Sequence, residues 1–128
     1  MTTALWCILI AGLFPYICAG IAKWGFHDFD NNNPRQWLAN QTGFRARANA
    51  AQHNSFEAFP FFAAAVIIAS FTHAPSAWMN SLAILFVIAR VGFIVCYVMD
   101  KPNVRTLCWT VGVSCVIALF IISGMQAA

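Results

Sequence analysis

Four long apolar runs separated by short polar connections constrain this chain more than any other feature. They lie near residues 3–23, 43–71, 77–99 and 104–126, and each is long enough to cross the roughly 30 Å hydrocarbon core that about 20 helical residues span. Backbone groups in lipid must be satisfied internally, so segments of this length fold as helices. Composition agrees: 61% of the 128 residues are hydrophobic and only 9% are charged, with a mean hydropathy of +0.71. A soluble globular domain carries about 25% charged residues. The sequence therefore predicts an all-α, transmembrane four-helix bundle, read as a single domain over residues 1–128. So small a bundle has little interior, and its sites are expected between subunits of an oligomer.

Charge placement gives an orientation. Lys23, Arg35, Arg45 and Arg47 follow the first run, Lys101 and Arg105 lie between the third and fourth, and the connection from His73 to Ser76 has no Lys or Arg. By the positive-inside rule the first and third connections face the cytoplasm and both termini face the other side. The basic residues flank spans and are interrupted by Asp28, Asp30 and Asp100, which argues against nucleic acid as a partner. No Lys or Arg precedes Leu5, so the first run is read as a retained span, not a cleaved signal.

The five cysteines, Cys7, Cys18, Cys96, Cys108 and Cys115, all fall inside spans without a CxxC pair and are read as small buried hydrophobes. His27, His53 and His73 sit on separate segments, so no metal or heme site is expected. In the connection over residues 26–42, Asn33-Pro34 predicts a short interfacial helix with Asn33 as cap and Pro34 at its first position. Trp24 and Trp37 suit the headgroup layer, and Ser76 is the expected cap of the third span. Pro15 and Pro60 are expected to bend their helices.

The second run carries a polar stripe. Arg47, Ala50, Asn54, Glu57 and Phe61 fall within an arc of about 80° at 100° per residue. A carboxylate inside membrane territory requires a partner, and Arg90 in the third run is the expected one, with Tyr97 on the same face seven residues on. Such a pair could simply fix helix register. The cations Lys23, Arg47, Arg90 and Arg105 exceed Glu57 and Asp100, however, which predicts room for an anionic ligand.

These residues resemble the MAPEG family, the membrane-associated proteins in eicosanoid and glutathione metabolism, and its bacterial type in particular. Arg47 with Asn54-Ser-Phe-Glu57-Ala-Phe-Pro60 resembles the family's second-helix signature of an arginine before Asn-x-x-Glu-x-x-Pro. Arg90 through Tyr97 is similar to its third-helix stretch, Asn103 through Trp109 to the start of its fourth helix, and Lys23 to a basic residue ending the first. Ala50, Ala58 and Phe93 depart from polar residues found in relatives, and His53 stands beside the motif.

The resemblance implies a homotrimer with glutathione as co-substrate near the cytoplasmic face of a bacterial inner membrane, and a lipophilic second substrate arriving from the bilayer. It assigns glutathione binding to Lys23, Arg47, Asn54, Glu57, Arg90 and Tyr97, and thiolate stabilisation to Arg105. The implied function is a glutathione-dependent transferase or peroxidase acting on lipophilic electrophiles or lipid peroxides. A catalytically silent relative, with a structural or anion-binding role, is the competing expectation. A small multidrug exporter is disfavoured, because no acidic residue lies between Ala4 and Ala22.

Overall fold

The structure is a computed structural model that describes residues 1–25 and 27–128. Phe26, where the first connection was expected to begin, lies outside the described residues. Helices are α1 (Thr3–Lys23), α2 (Pro34–Ala39), α3 (Gly43–Phe71), α4 (Ser76–Val98) and α5 (Pro102–Ala127). All but α2 are long and apolar enough to cross a membrane. The protein is an integral membrane four-helix bundle, as the apolar runs predict.

Small residues at helical spacing set the packing. The buried face of α1 is Ala4, Cys7, Ala11, Phe14, Pro15, Cys18 and Ala22, and that of α3 includes Ala48, Ala51, Ser55, Phe62, Ala65 and Ala69. Helices in lipid gain little from hydrophobic burial and associate by close van der Waals contact, which such faces permit. The main packing pairs are α1 with α3 and α4 with α5, and α4 also touches α1 and α3. At the centre the Phe62 and Phe86 rings stack with centroids 3.9 Å apart and planes 7° from parallel. Between α4 and α5 the approach is tight at Gly92, where an added Cβ would lie 3.0 Å from the Cys108 sulfur.

At 29 residues, α3 is about 44 Å long at 1.5 Å per residue, well beyond the hydrocarbon core. The two arginines in its first turns serve neighbouring helices. Arg45 donates to the carbonyls of Ala22 (2.9 Å) and Trp24 (2.8 Å) at the end of α1. Arg47 donates through Nε to the Val98 carbonyl (3.1 Å) at the end of α4. Each guanidinium thus meets orphan carbonyls at the negative end of a helix. At the opposite end of the bundle, Asn80 of α4 accepts from the Ala4 N–H (2.9 Å) and so ties down the start of α1.

Two connections close without glycine. In both α3–α4 and α4–α5 turns the residue after the C-cap is left-handed, His73 at φ 56° and Asp100 at φ 59°. The flanking bonds, Ala74 N to Ala69 O (2.9 Å) and Lys101 N to Cys96 O (2.8 Å), are the six-to-one bonds of a Schellman ending. Helix α4 starts at Ser76 itself with Pro75 as its cap residue, one position earlier than expected, because proline's fixed φ already suits a helix entry. Helix α5 starts at Pro102, two positions early, for the same reason. Asn33 precedes α2 without capping it by side chain. Its amide instead donates to Asp30 (3.3 Å), whose carboxyl is held below its usual range by that bond and by the Asn32 N–H. Both α1 and α3 run through their prolines unbroken.

Candidate functional site

A cavity of about 320 Å³ opens between α3, α4 and α5. Asn54, Glu57, Ala58 and Phe61 come from α3, Phe86 and Arg90 from α4, and Trp109, Gly112, Val113 and Val116 from α5. The Phe86 ring and the Arg90 stem pass Gly112 at ordinary van der Waals range, 3.7 and 3.9 Å from where a Cβ would stand. Three of the five stripe positions on α3, Asn54, Glu57 and Phe61, therefore share one concave wall with Arg90.

Arg90 is the unusual element. Only 3% of its surface is exposed, and an arginine retains its charge under such burial. Its guanidinium donates to the Ser55 hydroxyl at 3.3 Å and lies 4.2 Å from the centre of the Phe93 ring. Among the described residues no carboxylate pairs with it, so the expected Arg90–Glu57 bridge is not formed. The reason is rotational: Ser55 and Glu57 are two residues apart, about 160° around the helix, and α4 presents Arg90 to the Ser55 side. Glu57 is exposed on the open flank of the cavity. A third polar group is also unsatisfied, since Asn54 Oδ1 is buried without a hydrogen-bond partner. A guanidinium with five donors and one neutral acceptor, an orphan amide oxygen and a free carboxylate thus meet at one cavity.

Above the cavity stands an aromatic and cationic column. From Arg90 over Phe93, it continues through a T-shaped Phe93–Tyr97 contact (5.5 Å) to Arg105, whose guanidinium carbon is 4.3 Å from the Tyr97 ring centre. Tyr97 and Arg105 do not line the cavity but lie at the top of this column, toward the α4–α5 turn. Arg47 reaches the same end and is engaged there with Val98. Lys23 is apart from all of these, with its ammonium 4.7 Å from the Phe29 ring at the end of α1. The structure therefore groups Asn54, Glu57 and Arg90, places Tyr97 and Arg105 beside them, and leaves Arg47 and Lys23 on other duties within one chain.

Ser55, Trp109 and Arg45 were not singled out from the sequence. Ser55 had a usable signal, being a hydroxyl on an otherwise apolar face of α3. The receptors of Arg45 are backbone carbonyls of another helix, for which a sequence carries no marker.

The sequence model of the MAPEG family matches residues 3–125, nearly the whole chain. No curated protein and no solved structure matches it.

Proposed function

Since the chain belongs to the MAPEG family, we propose that it is a membrane-bound glutathione-dependent transferase or peroxidase acting on lipophilic electrophiles or lipid peroxides. The observation that carries this reading is the buried Arg90 guanidinium, which has no counter-ion among the described residues and shares a cavity with the orphan Asn54 oxygen and with Glu57. An isolated buried ion is costly, so the site is complementary to a ligand that brings an anion. The residues fit glutathione by type. Arg90 would take a carboxylate through its fork, Glu57 the ammonium group, and Asn54 Oδ1 an amide N–H.

Glutathione supplies a nucleophilic or reducing thiol, whose unperturbed pKa of about 8.5 leaves it mostly protonated at neutral pH. Arg105, fixed on the face of Tyr97, is the residue we assign to favouring its thiolate, as a nearby positive charge does. Tyr97 holds that guanidinium in place. The remaining cavity wall, Phe61, Trp109, Val113 and Val116, is apolar and suits a lipophilic partner delivered through the bilayer.

Glu57 is exposed on a membrane-crossing helix, where an uncovered carboxylate is unfavourable. We therefore assign that flank to contact with a second copy in a homotrimer, from which Lys23 and Arg47 would complete the site. The end bearing Lys23, Arg45, Arg47, Lys101 and Arg105 is assigned to the cytoplasmic side of a bacterial inner membrane.

The competing reading is a silent relative, and the use of Arg45 and Arg47 as helix caps favours it, because those cations are already occupied. Turnover separates the two. Detergent-purified protein should conjugate an aryl halide or reduce a lipid hydroperoxide with glutathione, with ultraviolet thiolate absorbance on binding. Arg105→Ala should lose the absorbance and most of kcat while retaining glutathione binding. Absence of both binding heat and turnover at millimolar glutathione would establish the silent reading.

A further inference from the structure

Away from the Arg90 cavity, α1, α2 and α3 build a groove that the proposed reaction does not use. Its polar end is a cavity of about 430 Å³ between α2 and α3, lined by Arg35, Asn49, Gln52 and His53 together with Leu38 and Phe56. The first four carry N–H donors, and among the described residues none of their side chains is hydrogen-bonded or ion-paired within the chain. No carboxylate lines this cup. At its edge the exposed Phe56 ring meets the exposed Tyr16 ring edge to face, with centroids 6.1 Å apart. Beyond that pair an apolar furrow of about 620 Å³ runs between α1 and α3, its walls including Leu5, Leu9, Leu13, Phe59 and Ile67. On α3, Asn49, Gln52, Phe56, Phe59 and Ile67 fall within an arc of about 80° at 100° per residue, so cup and furrow share one face. Glu57 and Asn54 lie about 120° and 180° from the centre of that arc, which separates the groove from the Arg90 cavity.

We infer that this groove holds one bilayer phospholipid with an anionic headgroup, its phosphodiester in the Arg35 cup and an acyl chain along the furrow. Length supports the match. The apolar part from Phe56 to Ile67 is eleven residues, about 16 Å at 1.5 Å per residue, and α1 covers the same stretch in reverse from Tyr16 to Leu5. One leaflet of hydrocarbon, half of the roughly 30 Å core, is about 15 Å deep. Charge supports it as well. The Arg35 fork suits phosphate oxygens, and the two amides and the imidazole add further N–H donors. A zwitterionic headgroup brings an ammonium that meets no carboxylate in the cup, so a net negative headgroup is preferred. Basic pockets beside membrane helices select anionic lipids on this principle. The site is independent of whether glutathione binds.

The test uses the full chain in detergent, with its assembly intact, and native mass spectrometry with added lipid. Dioleoyl phosphatidylglycerol should bind at one molecule per chain, at least about fivefold more tightly than dioleoyl phosphatidylcholine. Arg35→Gln should weaken phosphatidylglycerol by about fivefold, the contribution of one interfacial arginine. Lys101→Gln, at the cap of α5 and outside the groove, should leave it unchanged. Glycerol 3-phosphate, which carries the phosphate without chains, should not displace the lipid at millimolar concentration, and neither should glutathione. Equal binding of the two lipids, an unchanged affinity in Arg35→Gln, an equal loss in Lys101→Gln, or displacement by glycerol phosphate or glutathione would each overturn the assignment. So would an assembly that binds no lipid, which would give the groove to a second copy of the chain.

Discussion

Replacing Arg90 with methionine, which keeps the volume of the stem and removes the charge, separates a ligand-binding arginine from a structural one. In the unliganded protein Arg90 gains one bond to a neutral hydroxyl, worth about 1.5–3 kcal/mol for a charged donor, and one ring contact, worth about 0.5–2 kcal/mol. The bond is long at 3.3 Å, so the lower half of its range applies, whereas the group is 97% removed from solvent, so the upper half of the ring range applies. Against them stands the effective desolvation of a buried ion, several kcal/mol. The balance predicts that Arg90→Met leaves unliganded stability unchanged or raises it by about 1–2 kcal/mol, as replacement of buried ions by apolar residues often does. Binding should move the other way. Removing one member of a buried charge pair costs about 2–5 kcal/mol, which at about 1.4 kcal/mol per decade is a loss of roughly 30-fold to several-thousand-fold in glutathione affinity. Unfolding by denaturing detergent in mixed micelles gives the first quantity and calorimetric titration the second. A variant destabilised by more than about 2 kcal/mol with unchanged affinity would refute the reasoning, since Arg90 would then be a satisfied structural ion.

Other perturbations test separate parts of the account. Arg45→Met strips the donors from the Ala22 and Trp24 carbonyls and should destabilise the α1 end by about 1–3 kcal/mol, read as faster amide exchange confined to the last turn of α1. Gly92→Val places a Cβ 3.0 Å from the Cys108 sulfur and should cost about 1–3 kcal/mol by overpacking, measured by the same micellar unfolding. Asp100→Gly relieves a left-handed aspartate at φ 59° and should stabilise by about 0.5–1 kcal/mol, seen as a higher unfolding midpoint. Asn54→Leu removes the orphan oxygen; it should preserve or raise unliganded stability while weakening glutathione in titration.

Much of the architecture was legible because membrane helices announce themselves by length. The apolar runs gave all four spans, and Asn33-Pro34 gave α2, because proline's fixed φ and missing N–H favour the first helical position. Helical periodicity also placed Asn54, Glu57 and Phe61 on one face, which became the α3 wall of the cavity. What the wheel could not supply was the rotation of α4 relative to α3. That angle decides whether Arg90 meets Ser55 or Glu57, and it is set by close contacts such as Phe62 on Phe86. The cation surplus was likewise overcounted, because helix ends supply negative partial charge that a tally of Asp and Glu omits. Arg47, which the resemblance assigns to a ligand, answers the end of α4 within the chain.

The central claim is that Arg90, Asn54 and Glu57 together hold an anionic thiol peptide. Its most direct test is an experimental structure of the protein in lipid nanodiscs with glutathione. The account predicts ligand density in the α3–α4–α5 cavity, with a carboxylate on Arg90 and an N–H donated to Asn54 Oδ1. Density elsewhere, or a cavity filled by acyl chain with Arg90 still bonded only to Ser55, would contradict it.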